Sequence, residues 1–168
     1  MLPSKSSSSQ VANVNEIYLS SLRKELGNTP GFSGEGYLAA IQFCLREKTN
    51  LEEALRWSDA ALSMLFVGQV NFNTLSTKAQ VLRQLNRVDE AKMVMQAAVE
   101  YPATTALEIH RYARQVLAAG NNQAALEVFL INQKRNGDLW PVHVGLAGGY
   151  QAVGDLQKAC SHAELALK

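Results

Sequence analysis

Little in this chain of 168 residues announces a chemistry, and each scarcity closes off a class of function. Neither sign of charge dominates. The 16 Lys and Arg stand against 15 Asp and Glu, for a net charge of +1. That balance excludes a basic nucleic-acid-binding surface and an acidic tail, leaving a local patch as the place where a polyanion could bind. Long apolar runs are missing. The charge-free stretch from Ala60 to Thr77 comes nearest to the roughly 18 residues of a membrane span. Ser63, Gln69, Asn71, Asn73, Thr74 and Ser76 interrupt it, and Gly68 breaks its middle. The opening MLPSKSSSSQ lacks the apolar core of a signal peptide, so a soluble protein is expected. Its compartment is unknown: cytoplasmic by default, exported if an N-terminal part is missing. The two cysteines, Cys44 and Cys160, form neither a disulfide framework nor a CxxC pair. With 47% apolar residues, too many for intrinsic disorder, the chain has the composition of a folded domain.

The four prolines and eleven glycines fall between long stretches rich in Ala, Leu, Glu, Gln and Arg, which predicts an all-α fold. Residues 1–12, with the Ser6 to Ser9 block, are expected to be a flexible lead-in. Over residues 13–34, Val14, Ile17, Tyr18, Leu22 and Leu26 recur at helical spacing, with Asn15 as N-cap and Gly27 as stop. The turn chemistry of NTPGFSGEG follows, with Phe32 expected to pack between this helix and the next.

Four phrases then repeat: NLEEA ending at Ala54, RVDEA at Ala91, NNQAA at Ala125 and DLQKA at Ala159, with alanines 37, 34 and 34 residues apart. Counting back nine residues from each alanine gives Leu45, Leu82, Val116 and Tyr150, each a large side chain. Three residues further back stand Gln42, Ala79, Ala113 and Ala147. Between the implied helices lie Thr49-Asn50, Asn86-Arg87, Gly120-Asn121 and Gly154-Asp155, which supply residues able to end a helix in the left-handed region.

This period and pattern resemble the tetratricopeptide repeat, a pair of antiparallel helices, A and B, stacked side by side. The resemblance implies an α-solenoid of about four repeats, near 35–71, 72–105, 106–139 and 140–168, wound as a right-handed superhelix behind the leading helix. Gln42, Lys78, Ser58, Asn132 and His143 depart from the small or apolar residues usual at their positions. The phrases PGFSGEGYLAAIQFCL, NLEEALRWSDAAL, FVGQVNFNTLSTKAQVLRQLNR, EIHRYARQVLAAGNNQAALEVF and WPVHVGLAGGYQAVGD also resemble the C-terminal half of a bacterial family known by a domain-of-unknown-function label. There the region commonly follows a β-rich domain, often behind an export signal.

The resemblance places partner-binding residues in the groove on the concave wall made by the A helices, at Phe43, Arg46, Gln80, Arg83, His110, Arg114 and Gln151. Arginines and amides on one wall suit a carboxylate or a peptide backbone, because guanidinium donates paired bonds to an acid. The competing reading is a solvated scaffold surface. Chaperone-binding members of this group use asparagines where Phe43, Gln80, Arg114 and Gly148 stand, so that activity is not carried over.

No catalytic set emerges. His110, His143 and His162 make no paired metal arrangement, and His143 reads as a hydrogen-bonded core residue. GLAGGY lies inside a helix, where small residues serve close packing rather than phosphate binding. Cys44 and Cys160 read as buried, and Trp57 and Trp140 as packed between repeats. The expectation is therefore a non-catalytic scaffold, not an enzyme, with no cofactor and no metal. Its partner is a protein or peptide of unknown identity, with neither nucleic acid nor membrane span. The second reading is a structural module that docks on a missing N-terminal β-domain, or self-associates as a homodimer, through Leu156, Leu165 and Leu167.

Overall fold

The computed structural model describes residues 6–27, 34–63 and 68–167. Phe32, the lead-in before Ser6 and part of the loop near Leu65 lie outside the described residues. Nine α-helices and no strands occur among those described. They are α1 (Ser6–Leu26), α2 (Gly34–Glu47), α3 (Leu51–Ser63), α4 (Phe72–Gln84), α5 (Val88–Glu100), α6 (Ala106–Ala118), α7 (Asn122–Asn136), α8 (Trp140–Ala152) and α9 (Leu156–Ala166). The chain forms two compact units, residues 1–100 and 101–168. Each unit is a stack of antiparallel helix pairs, the all-α arrangement of a solenoid.

The repeat is visible in the helix starts. The A helices α4, α6 and α8 begin at residues 72, 106 and 140, and the B helices α5, α7 and α9 at 88, 122 and 156, each 34 apart. The same chemistry sets each boundary. Asn71 and Thr74 form a reciprocal capping box at α4, as do Thr105 and Glu108 at α6, satisfying amides that would otherwise be orphaned. Each of these A helices ends in a left-handed residue, at Asn86 (φ 61°), Gly120 (φ 81°) and Gly154 (φ 86°). Behind it, an amide reaches back to the carbonyl of the closing large residue: Arg87 N–H to Leu82 (2.9 Å), Asn121 N–H to Val116 (3.2 Å) and Asp155 N–H to Tyr150 (2.9 Å).

In unit 1 the first pair is offset. Its closing bond runs from Thr49 N–H to Cys44 (3.1 Å), one residue earlier than the count back from Ala54 predicts, and both Lys48 (φ 51°) and Asn50 (φ 49°) are left-handed. The extra residue in this turn slides the whole of α2 by one position. Ile41, fully buried, therefore takes the place expected of Gln42, and Gln42 is exposed. The helix α1 covers this end of unit 1. It starts at Ser6, ahead of the expected Asn15 cap, because once a helix is nucleated residues of middling propensity extend it at small cost. Its inner face is Leu19 and Leu22, not Val14 and Ile17, which are exposed. Arg23 fixes that choice: its guanidinium donates to both carboxylate oxygens of Glu53 on α3 (2.8 and 2.7 Å) and to Glu16 (2.7 Å). The arrangement raises the pKa of Arg23 and holds that of Glu53 below the usual carboxylate range.

In unit 2 the core centres on Phe129 of α7, which lies against Leu126, Val142 and Leu146. The glycines of α8 make room for its ring. A Cβ at Gly145 would lie 2.5 Å from Phe129 Cδ1, and one at Gly149 2.9 Å from its Cδ2. The buried polar departures from the repeat pattern are hydrogen-bonded. Asn132, fully buried, donates to the Ala106 carbonyl (2.9 Å) and accepts from Asn136 (2.7 Å), and in unit 1 buried Ser58 donates to the Leu55 carbonyl (2.7 Å). Trp57 is partly buried against the unit 1 core, as expected, but Trp140 is exposed. It stands at the first position of α8, before Pro141, where the helix has not yet met its neighbours.

The glycines give a paired test. Gly145→Ala should lower stability by about 1–3 kcal/mol, because Phe129 must move. Gly148→Ala, whose Cβ would meet nothing within 4 Å, should raise stability by about 0.5–1 kcal/mol. Urea unfolding midpoints shifting in the same direction for both would contradict this packing.

Candidate functional site

The outward faces of the A helices hold the candidate residues, and each unit presents its own set. In unit 1, Arg46 on α2 and Gln80 and Arg83 on α4 are exposed, and the two helices lie side by side. The Arg46 guanidinium bonds Glu47 (2.9 Å) and sits 5.5 Å from the Phe43 ring centroid. The neighbouring Gln84 is committed to the Leu45 carbonyl at the end of α2 (3.0 Å), which ties the helices together. Phe43 is not part of the face. It is buried, with Tyr18 of α1 tilted over it at 4.5 Å between centroids. The one-residue slide of α2 explains this: Phe43 occupies the position of buried Val81, and Gln42 the position of exposed Gln80.

In unit 2, Arg114 on α6 and Gln151 on α8 are exposed. His110, expected beside them, is buried against Phe129 (5.8 Å between centroids), with its Nδ1 facing Gly145. Burial lowers its pKa, assisted by the charges of Arg114 and Arg111, while a hydrogen bond to the Pro141 carbonyl opposes the shift. The inward turn of His110 leaves Arg111 exposed instead, in a stripe of Leu107, Arg111, Arg114 and Ala118 along α6. Their spacing of four, three and four is legible in the sequence as one helical face, but counting by repeat position passed over Arg111. Beside Arg114, at the same repeat position on α8, Gly148 leaves the helix backbone bare.

The remaining groups with chemical potential pack between helices. His143, with 5% of its side chain exposed, meets His162 of α9 with Nδ1 atoms 3.1 Å apart, so one ring donates and the other accepts. Asp138 lies 3.6 Å from its Nε2, and Tyr150 also stacks on His162 at 5.6 Å between centroids. His162 has a lowered pKa, first from burial and then from His143, with Asp138 opposing. Cys44 is buried, and its thiol is pushed up to about 11 by that burial. Cys160, expected to be buried, is exposed, because on α9 the inward position falls to Ala159. Among the described residues, no group of three His, Cys, Asp or Glu could hold a metal ion, and no helix is long and apolar enough to cross a membrane.

No model of a known protein family matches the chain, and no curated protein resembles it in sequence at a significant level. Among solved structures it is similar to MamA, with 11% identity and a TM-score of 0.54 over 99% of this chain and 95% of that one. Its fold is tetratricopeptide-like. YrrB, described as a TPR protein with an unusual peptide-binding site, aligns at 18% identity and a TM-score of 0.48 over 94% of this chain and 79% of its own. At 11% identity the likeness to MamA concerns the fold.

The two lowered histidines set a pH dependence. The unfolded chain binds their protons more readily than the native state, so native stability is full above the ordinary imidazole value of about 6.5 and falls as pH drops through and below it. Urea midpoints at pH 7.5 and 5.5 should show that loss, and His162→Gln should reduce it. A midpoint independent of pH over this interval would refute the assignment. Losses from Glu53 and Asp155, whose pKa values are lowered, belong to a more acidic window.

Proposed function

We propose that the chain is a non-catalytic scaffold that binds a peptide or protein partner through the outward faces of its A helices. The residues involved are Arg46, Gln80 and Arg83 in unit 1 and Arg114 and Gln151 in unit 2. The observation that carries this reading is the division of each A helix: small and apolar residues such as Ala79 and Ala113 are buried, while the face holding Gln80, Arg83 and Arg114 is open to solvent. Repetition of such a face is how solenoids make extended surfaces for partner chains. Phe43 and His110 contribute from beneath, as supports. The resemblance of the sequence phrases to the C-terminal half of a bacterial family of unknown function fits a module of this kind and supplies no reaction.

A second reading has its own observation. Leu156 (64%), Leu165 (42%) and Leu167 (89%) are exposed on and just beyond α9, which favours docking on another domain or self-association at that end.

The first reading is tested by selecting peptides from a displayed library against the wild-type chain and measuring their affinity for an Arg46, Arg83, Arg114 triple alanine variant. Affinity should fall by about tenfold or more, since each exposed charged contact contributes up to about 1 kcal/mol. Undiminished binding by a folded variant would place the partner elsewhere. For the second reading, light scattering should show mass rising with concentration, and Leu156→Glu with Leu167→Glu should abolish the rise. A constant monomer mass would remove the self-association form.

A further inference from the structure

The charged side chains on the outward faces are compensated unevenly. In unit 1, Arg46 pairs with Glu47, which leaves Arg83 as a single arginine without a carboxylate partner among the described residues. On the α6 and α8 face of unit 2 the balance fails. Arg111 and Arg114, three residues apart on one face of α6, are exposed, and neither has a carboxylate partner among the described residues. The acid of α6, Glu108, is committed to the amide and hydroxyl of Thr105 (both 2.8 Å). α8, packed beside α6, contains no Asp, Glu, Lys or Arg. The positive field reaches inward, where both arginines help to keep His110 neutral.

Shape adds to charge at this face. At Gly148, the repeat position level with Arg114, a side chain would have open space in front of it, so another backbone can approach α8 closely there. Leu107 gives the same stripe an exposed apolar end.

Resting on the scaffold reading above, we propose that this face of unit 2 takes an acidic peptide segment, its carboxylates paired with Arg111 and Arg114 and its main chain crossing the bare backbone at Gly148. Charge complementarity selects the occupant: two adjacent guanidiniums without a competing acid match closely spaced Asp or Glu side chains. A nucleic acid would need a longer basic track than two arginines on a chain of net charge +1 provide.

The experiment measures fluorescence anisotropy of labelled alternating Glu-Ala, Gln-Ala and Lys-Ala peptides and of a labelled oligothymidylate with the full chain. The Glu-Ala peptide should bind, more weakly as salt is raised, and the Gln-Ala and Lys-Ala peptides should not. Arg111→Ala with Arg114→Ala should weaken binding about tenfold, whereas Lys92→Ala with Lys134→Ala, exposed on the B helices α5 and α7, should leave it unchanged. Gly148→Leu, checked for retained helicity by circular dichroism, should also weaken it. Glu-Ala binding untouched by the Arg111 and Arg114 changes would overturn the proposal, and binding untouched by Gly148→Leu would overturn the crossing at Gly148. Preference for the Gln-Ala or Lys-Ala peptide would overturn the acidic assignment while leaving the scaffold reading intact. Tighter binding of oligothymidylate through the same arginines would replace the peptide by a polyanion, and no binding by any of the three peptides would overturn the acidic-peptide proposal, the scaffold reading being decided separately by the library selection.

Discussion

Two helices can lie as close together as the A and B partners do here only where almost nothing stands between them. Ala54, Ala91 and Ala125 are buried to the last few per cent, and between one repeat and the next Gly145 and Gly149 of α8 go further, giving up even a methyl group to the ring of Phe129 on α7. The rest of each unit follows from that closeness. Large residues fill the volume to either side, the capping boxes and left-handed turns place each new helix at the right spacing, and the polar side chains are left on the opposite surface. A small residue at these points acts as a distance gauge, and the 34-residue period is the interval at which the gauge is applied.

The period, the helix count and the turn residues were all legible in the sequence because each depends on a local rule: a small residue at fixed intervals and a residue tolerant of positive φ after each A helix. Asn86, Gly120 and Gly154 stand in the left-handed region where the pattern placed them. The side-chain faces were harder to read. A single additional residue in the turn after α2 moved Phe43 from the outward face to the inward one, and a slip of one residue rotates a helical position by about 100°. The burial of His110 had a different origin, since it depends on Gly145 leaving space on a helix one repeat away. Repeat position alone cannot register such a pairing, and it hid Arg111 for the same reason. Trp140 and Cys160 show the limits of residue type as a guide: both belong to classes usually buried, yet their places on α8 and α9 face solvent.

The polar residues in the two cores follow a common logic. Asn132, Ser58 and His143 occupy sites where an apolar side chain would serve packing, and each has a hydrogen-bonding partner that offsets its desolvation. Asn132 joins the B helix α7 to the first turn of α6, and His143 joins α8 to α9. Such bonds are directional, as apolar contacts are not, and they fix the sliding register of one helix on another. His110 is the exception, with a buried Nδ1 lacking a partner among the described residues, and it is also the group whose charge the surrounding arginines oppose.

The short turns between partner helices have a kinetic consequence. Contacts form between elements that are neighbours along the chain, so the loop that must close before each helix pair gains its burial is only a few residues long. Chains assembled from such local closures meet a low entropic barrier and fold quickly for their size. A freshly synthesised helix pair would find its first stabilising surface in the pair made just before it, so that order of synthesis and order of docking coincide.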